Sequence, residues 1–488
     1  MSGVAFEPWM VVAILPEILL VVLAIFILLL DLTLSEQHKA VLGWVVAVGL
    51  VLTMITGLIF ARPINQQAQA MWGGMLSNDW LAFVFRMLFL FAAAITALFS
   101  MNLSQLGRRG EYYLLMLAST LGMMLMAASA DLIMLYLAIE TTSIPLYVLA
   151  GFLTKDDKST ESGFKYLLFG AMTSAIMLYG FSLLYGVLGT TNISELAHMV
   201  QQNTVSIATL MGIVFLVLIG FGFKISAVPL HFWAPDVYEG APTPIAGFLS
   251  TASKAAGFSV LLRVFLAVFP SLAPYWGAII AALATATMTL GNLLALAQKN
   301  IKRLLAYSSI AHAGYAMIGL VAISYLGASG VVFYLIVYVI TNLAAFGVVG
   351  VVGRITGNDE VAAYSGLSRR APWLALAMLV AFLSLAGMPP FGGFVAKFLV
   401  FAAAVNANLI WLAVVGVLNS IIGLYYYLTV LKYVYLYRSE DEDKPLPVTQ
   451  AYQLGLVVLC LGIVLIGTLF APWYNLSGAA ATTLFPGF

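Results

Sequence analysis

Residues 220–233 read GFGFKISAVPLHFW. A lysine stands inside an apolar run, and a proline follows five residues later. Pro229 has no amide to offer the Ile225 carbonyl, so a helix running through this stretch opens just past Lys224. What surrounds that opening is set by composition. The chain has 488 residues, 63% of them apolar and 8% charged, and its mean hydropathy is +1.04. Soluble domains carry about 25% charged residues. Apolar stretches of roughly 18 residues or more recur from end to end, each long enough to cross a bilayer as a helix. The fold class is therefore an all-α polytopic membrane protein, and Lys224 lies at membrane depth.

The same composition narrows function. No hydrophilic stretch is long enough to form a soluble domain. Glu7 and Glu17 stand where a signal peptide carries basic residues, so a cleaved leader is not expected. A net charge of +1 without a basic patch argues against nucleic acid. Cys460 is the only cysteine, which excludes internal disulfides and thiolate-held iron–sulfur clusters. The four histidines (His38, His198, His231 and His312) offer no convincing pair of haem ligands. Neither a redox centre nor a metal is expected in this chain.

About 14 spans are expected, near 10–30, 41–60, 80–101, 111–128, 131–153, 160–187, 206–230, 243–268, 275–297, 301–322, 328–352, 371–405, 408–437 and 450–471. The basic residues sort by loop. Lys39 falls in the first, Arg108 and Arg109 in the third, and Lys155 and Lys158 in the fifth. Lys299 lies in the ninth beside Lys302 and Arg303, with Arg354, Arg369 and Arg370 in the eleventh and Arg438 and Lys444 in the thirteenth. The even loops hold only Arg62, and the seventh loop holds no Lys or Arg. The positive-inside rule makes the odd loops cytoplasmic and puts both termini on the opposite side. Span 371–405 is too long for one straight crossing and contains GMPPFGGF (387–394). There Pro389 and Pro390 free the carbonyls of Leu385 and Ala386, a second break. Irregular backbone at membrane depth survives only when buried in protein or lining a water-filled cavity.

Five ionisable groups fall well inside spans: Glu140, Lys165, Lys224, Lys254 and Lys397. Arg86 and Arg263 lie nearer span ends, where snorkelling is expected. Each central charge costs about 2.5–3.5 kcal/mol, so the five cost on the order of 12–17 kcal/mol uncompensated. A single Lys–Glu pair is as well explained by a structural bridge. Four lysines facing one glutamate do not pair off, which favours a hydrated charge pathway. His312, in YSSIAHAGYAMIGL (307–320), has small and hydroxyl neighbours that suit a proton relay, although a lone histidine is more often a satisfied core residue. His231, just past Pro229, is a second possible relay.

An internal repeat is suggested by spacing. Glu140 and His312 are about 172 residues apart, Lys224 and Lys397 about 173. KYLLFGAMTSAIMLYG (165–180) also resembles FYLIVYVITNLAAFGV (333–348). Spans 4–8 and 9–13 then form two five-helix repeats. Because five is odd, the second is inverted, and each contains a broken helix, an architecture of transporters with ion sites near the midplane. The expected division is an N-terminal three-helix segment (1–110), a first repeat (111–270), a second, inverted repeat (271–437), and a cytoplasmic loop with a C-terminal helix (438–488).

Four segments carry a resemblance: LYLAIETTSIPLYVLAGF (135–152), SGFKYLLFGAMTSAIMLYGFSLLYG (162–186), FKISAVPLHFWAPDVYEGAPTPIAGFLSTASKAAGF (223–258) and LAYSSIAHAGYAMIG (305–319). They closely resemble the antiporter-like membrane subunits of proton-pumping NADH:quinone oxidoreductase, respiratory complex I. Within that family the chain looks most like the subunit N branch. Lys397 occupies a broken-helix position where the M branch usually has glutamate. The chain ends at Phe488, without room for the long lateral helix of the L branch.

The resemblance implies roles. Glu140 and Lys224 would be a coupled pair, modulated by Lys165. Lys254 and His312 would carry the proton along the mid-membrane axis, and Lys397 would sit in the exit half-channel. It implies a bacterial inner-membrane location with periplasmic termini. Its partners would be the bilayer, protons and neighbouring antiporter-like and small membrane subunits of complex I. NADH, FMN, iron–sulfur clusters and quinone would be handled by other subunits. Shared descent leaves an autonomous cation/proton antiporter subunit as an alternative, and a non-conducting structural subunit as another.

Overall fold

The computed structural model describes residues 6–65, 67–103, 105–202, 205–439 and 444–485. The chain begins with α1 (Trp9–Ala13), α2 (Leu15–Thr33) and α3 (Leu42–Phe60). A short antiparallel hairpin follows, β1 (Gln69–Met71) and β2 (Leu76–Asn78), which hydropathy does not announce. Then come α4 (Trp80–Ser100), α5 (Gly110–Ala128), α6 (Leu132–Ala150), α7 (Asp157–Leu188) and the short α8 (Ile193–Gln201). The first broken helix is α9 (Ile207–Ile225) followed by α10 (Trp233–Gly240). Next are α11 (Thr243–Phe248), a π-helical turn over Leu249–Ser253, and α12 (Lys254–Ala267). The chain continues through α13 (Ala273–Leu296), α14 (Ile301–Val321) and α15 (Tyr325–Thr356). It ends with α16 (Leu367–Arg370), α17 (Pro372–Ala386), α18 (Gly392–Asn406), α19 (Ile410–Tyr435), α20 (Gln450–Thr468) and α21 (Ala471–Thr482).

Among the described residues, 13 helical segments are long and apolar enough to cross a membrane. The pair α17–α18 is the expected long span with its break, and it brings the crossings to the anticipated total. The expected loop beginning at 438 includes residues 440–443, which lie outside the described residues.

Local chemistry fixes the ends of these helices. Asp79 starts α4 by accepting from the Ala82 amide at 2.8 Å, and Asp131, Asn300 and Ser324 start α6, α14 and α15 in the same way. The break after α9 falls where Pro229 requires it, with Ser226 in the left-handed region at φ 60°. The break after α17 is turned by Gly387 at φ 85°, a conformation that costs glycine nothing.

Two ends of the bundle are distinguishable. At one, the second, fourth and sixth loops are joined by backbone hydrogen bonds: Ala130 N to Met75 O and Leu132 N to Thr191 O, both 2.9 Å. At the other, the fifth, seventh, ninth and eleventh loops meet. Lys158 pairs with Glu239 at 2.8 Å, Lys302 with Asp359 at 2.9 Å, and Ile301 N bonds Asp359 O at 2.8 Å. These seven loops therefore segregate by parity.

Packing is densest around α15, whose membrane-length window is wholly buried, as is that of α11–α12. Large apolar side chains remain outward-facing on α2, α3, α6, α7 and α19. In lipid, helices associate through close packing of small residues rather than through exclusion of water. Gly291 of α13 and Gly314 of α14 are such a pair, since a Cβ on either meets the other helix's backbone.

Candidate functional site

The buried charges divide into two kinds. Arg86, fully buried, contacts Glu17 at 2.6 Å and the Ala13 carbonyl at 3.2 Å. Arg263 holds Asp79 through both terminal nitrogens, at 2.8 and 3.0 Å, and donates to the Ala127 carbonyl at 2.7 Å. The expected snorkelling is thus overturned for both. Each guanidinium finds a carboxylate inside the bundle, and a buried, paired charge is cheaper than an unpaired one.

Lys165 also departs from expectation. It lies two turns into α7, one third exposed, and pairs with Glu161 at 2.6 Å and Asp236 of α10 at 2.5 Å. Asp236 additionally accepts from Arg303 at 2.8 Å. The amines left over therefore number three rather than four, because the carboxylates that satisfy Lys165 sit at the bundle's end. For Asp236, burial pushes the carboxyl upward, but Lys165 and Arg303 outweigh it and hold it below the ordinary value. Glu239 is likewise held down by Lys158 and Arg303 against its burial.

Lys224, Lys254 and Lys397 are buried and solvated by hydroxyls and carbonyls instead. At the end of α9, Lys224 donates to Ser143 Oγ of α6 at 2.8 Å. Glu140, one turn earlier on α6 and half-buried, accepts from Ser174 of α7. The two are therefore neighbours across a helical turn rather than a direct ion pair. A cavity of about 20 Å³, the volume that one water needs, is lined by Lys224, Ser143, Thr173 and Ser174, the last of which holds Glu140.

Lys254 follows the π-helical turn, where a local departure from α geometry commonly marks a functional position. It donates to the carbonyl and hydroxyl of Ser309 on α14, at 2.7 and 2.5 Å. Ser309 in turn accepts from Tyr338 of α15 at 2.8 Å, and Asn342 reaches Tyr338 at 3.1 Å and Ser250 at 2.8 Å. One turn along α14, His312 lies between the hydroxyls of Tyr334 (2.6 Å) and Tyr427 (3.2 Å). One turn further, the Tyr315 ring receives the Lys397 ammonium at 4.9 Å.

Lys397 completes the series at the second break. It donates to Ser420 at 2.7 Å and to the Ala386 carbonyl at 3.0 Å. A cavity of about 10 Å³ touches both His312 and Lys397. Ser309, His312 and Tyr315 recur at the three-residue spacing that aligns side chains on one helix face. α14 is thus the spine from Lys254 to Lys397. His231 lies in the turn between α9 and α10, half-buried beside Phe232, and none of the hydrogen bonds of that spine involves it.

Sequence reasoning missed the tyrosines. Tyr334 and Tyr338 are four apart in an otherwise apolar helix, followed by Thr341 and Asn342. That polar stripe at helical spacing is the signal that marks them. It also missed Glu17, inside the first apolar run, and Asp79, one residue before the third, as partners.

The fold and these charges define a polytopic membrane protein with enclosed titratable groups strung between two broken helices. Residues 129–423 match the family described as NADH:quinone oxidoreductase/Mrp antiporter, TM, and the chain belongs to that family. It is 44% identical over 471 residues to NADH-quinone oxidoreductase subunit N of Moorella thermoacetica, covering 96% of this chain and 98% of that one. Among solved structures it is similar to a chain of respiratory complex I from Thermus thermophilus with bound aureothin. That likeness has 34% identity and a TM-score of 0.80, over 94% of this chain and 98% of the other. A chain of the Mrp complex from Dietzia sp. shares the fold at a TM-score of 0.86, with 20% identity over 99% and 98% of the two chains.

Proposed function

We propose that this chain is the proton-translocating membrane subunit of an NADH:quinone oxidoreductase, moving protons along Glu140, Lys224, Lys254, His312 and Lys397. One contrast carries the reading. The two buried arginines, which cannot release a proton in a protein, have carboxylate partners, while the three enclosed lysines, which can, have hydroxyls and carbonyls. A strut needs a fixed counter-charge. A carrier needs a site that tolerates both its charged and its neutral form, and a hydroxyl serves either by donating or accepting.

The energies are adequate. At an effective dielectric near 20, a carboxylate brought to 4 Å from an amine is worth about 4 kcal/mol. Carrying one charge against 100 mV costs about 2.3 kcal/mol. Moving Glu140 relative to Lys224 therefore suffices to load and unload a proton. Lys165, held between Glu161 and Asp236, modulates this pair, and His231 serves as a subsidiary relay.

The remaining assignments rest on the family. The odd loops, where basic residues collect, face the cytoplasm of a bacterial inner membrane, and both termini face the periplasm. The two broken helices, α9–α10 and α17–α18, belong to inverted repeats over 111–270 and 271–437. NADH, FMN, iron–sulfur clusters and quinone are handled by other subunits, since a single cysteine provides no cluster ligand set here. Neighbouring membrane subunits cover part of the outward apolar faces.

The deciding experiment is Lys224→Arg. The guanidinium keeps the charge, so a strut survives the change, whereas a carrier that must become neutral does not. The expected result is an assembled complex whose proton uptake per quinone reduced falls nearly as far as in Lys224→Ala. Oxidation of NADH by an artificial acceptor stays normal. Wild-type stoichiometry and rate in Lys224→Arg would return Lys224 to a structural role.

A further inference from the structure

Among the buried hydroxyls without a completed hydrogen bond, two are neighbours. Tyr238 of α10 and Ser226, the left-handed residue capping α9, are both fully buried with their oxygens unpaired. The Tyr238 hydroxyl lies close to both Ser309 and Ser226 without a completed hydrogen bond to either. Ser309 is the residue that holds Lys254, and Ser226 stands two residues past Lys224. The helices concerned are close: a Cβ on Gly257 of α12 would meet the Lys224 side chain at 3.1 Å. A buried hydroxyl left unpaired costs about 1–3 kcal/mol, so such a pair demands a reason.

We infer that Tyr238 is a relay residue, its hydroxyl bridging Ser226 at the α9 break to Ser309 and so passing protons between the Lys224 and Lys254 stations. A hydroxyl accepts a proton on a lone pair while surrendering its own to the next oxygen. The transfer is neutral overall and needs no co-reactant. The two loose contacts suit this, because small shifts make or break the bridge.

α10 is built to produce such shifts. Its Asp236 and Glu239 are clamped by Lys165, Lys158 and Arg303 at the odd-loop end. Its Tyr238 points inward, with the ring packed on Trp233 and Phe346. Movement of the clamp is thereby movement of the bridge.

This inference rests on the proton-translocation reading above, and its test separates the two. Tyr238→Phe keeps both ring contacts and deletes only the hydroxyl. As a structural residue it would be neutral or stabilising, since an unpaired buried oxygen is removed. As a relay it is required. In purified complex reconstituted into vesicles, the expected result is an unchanged or raised thermal midpoint with proton uptake lowered about tenfold. If Tyr238→Phe does not assemble, Ser226→Gly deletes the other hydroxyl while favouring the left-handed backbone already present. It is expected to give the same tenfold loss. Normal pumping in whichever of these variants assembles, with Lys224→Ala impaired, overturns the relay alone. Normal pumping in Lys224→Ala as well overturns the parent reading.

Discussion

The Lys397 ammonium lies 3.0 Å from the Ala386 carbonyl, the very oxygen that Pro390 leaves without an amide partner. The break and the charge satisfy one another: an orphaned acceptor gains a donor, and a buried amine gains a ligand. Gly387, between them, has no side chain to obstruct the approach of the lysine stem.

From this follows the first expectation. Lys397→Ala removes both the amine and the ligand of a buried carbonyl, whereas Lys165→Ala removes one member of a partly exposed cluster. Proton uptake per quinone reduced is expected to fall several-fold further in Lys397→Ala than in Lys165→Ala. The reverse order would exchange the roles given to these two residues.

Glu140→Ala is expected to assemble and to lower coupled quinone reduction and pumping together, by about tenfold. A tenfold loss corresponds to about 1.4 kcal/mol, less than the roughly 4 kcal/mol a nearby carboxylate supplies. Full pumping by the assembled variant removes Glu140 from the path.

The Asp79–Arg263 clasp ties α4, α5 and α12 together. Arg263→Met strands a buried carboxylate and is expected to cost about 3–5 kcal/mol of stability. Adding Asp79→Asn removes the stranded charge and should recover more than half of that loss, read as the thermal midpoint of the purified complex. A double variant no better than the single one would mean the clasp acts through packing instead.

The end cluster makes an acid-side prediction. Asp236 and Glu239 have folded-state values held below the ordinary carboxylate range, by Lys165 and Arg303 and by Lys158 and Arg303. Their contribution is complete above the unfolded values near pH 4 and is lost as pH falls through the lower folded values. Stability should be flat in this respect near neutrality and decline on acidification below about pH 4. Replacing both (Asp236→Asn with Glu239→Gln) should make that decline shallower, and an unaltered acid profile would count against the clamp.

Spans, breaks and inner charges were legible in the sequence because each is written locally. Hydropathy is a property of twenty consecutive residues, and Pro229 or Pro390 acts on a carbonyl four residues back. Partners were not legible. Arg263 meets Asp79 across 184 residues and Lys165 meets Asp236 across 71, so nothing in either neighbourhood names the other. Charge counting within spans erred as well: it passed over Glu17, inside the first span, and Asp79, one residue before the third. The tyrosine stripe of α15 stayed hidden because a tyrosine in an apolar helix reads as bulk until a histidine is found beside it.

The wholly enclosed α15 has a consequence for how the chain is made. In the finished bundle its window faces only other segments of the same protein, so lipid no longer tests its character. During synthesis it enters the bilayer before α17 to α21 exist, and each charged residue at its centre would then cost about 2.5–3.5 kcal/mol. Its valines, isoleucines and leucines are therefore a requirement of insertion more than of the final environment. The hydroxyls of Tyr334 and Tyr338 are the polarity that such a passage still permits. The native surroundings of the enclosed lysines and His312 are in this sense limited by the route the polypeptide takes into the membrane.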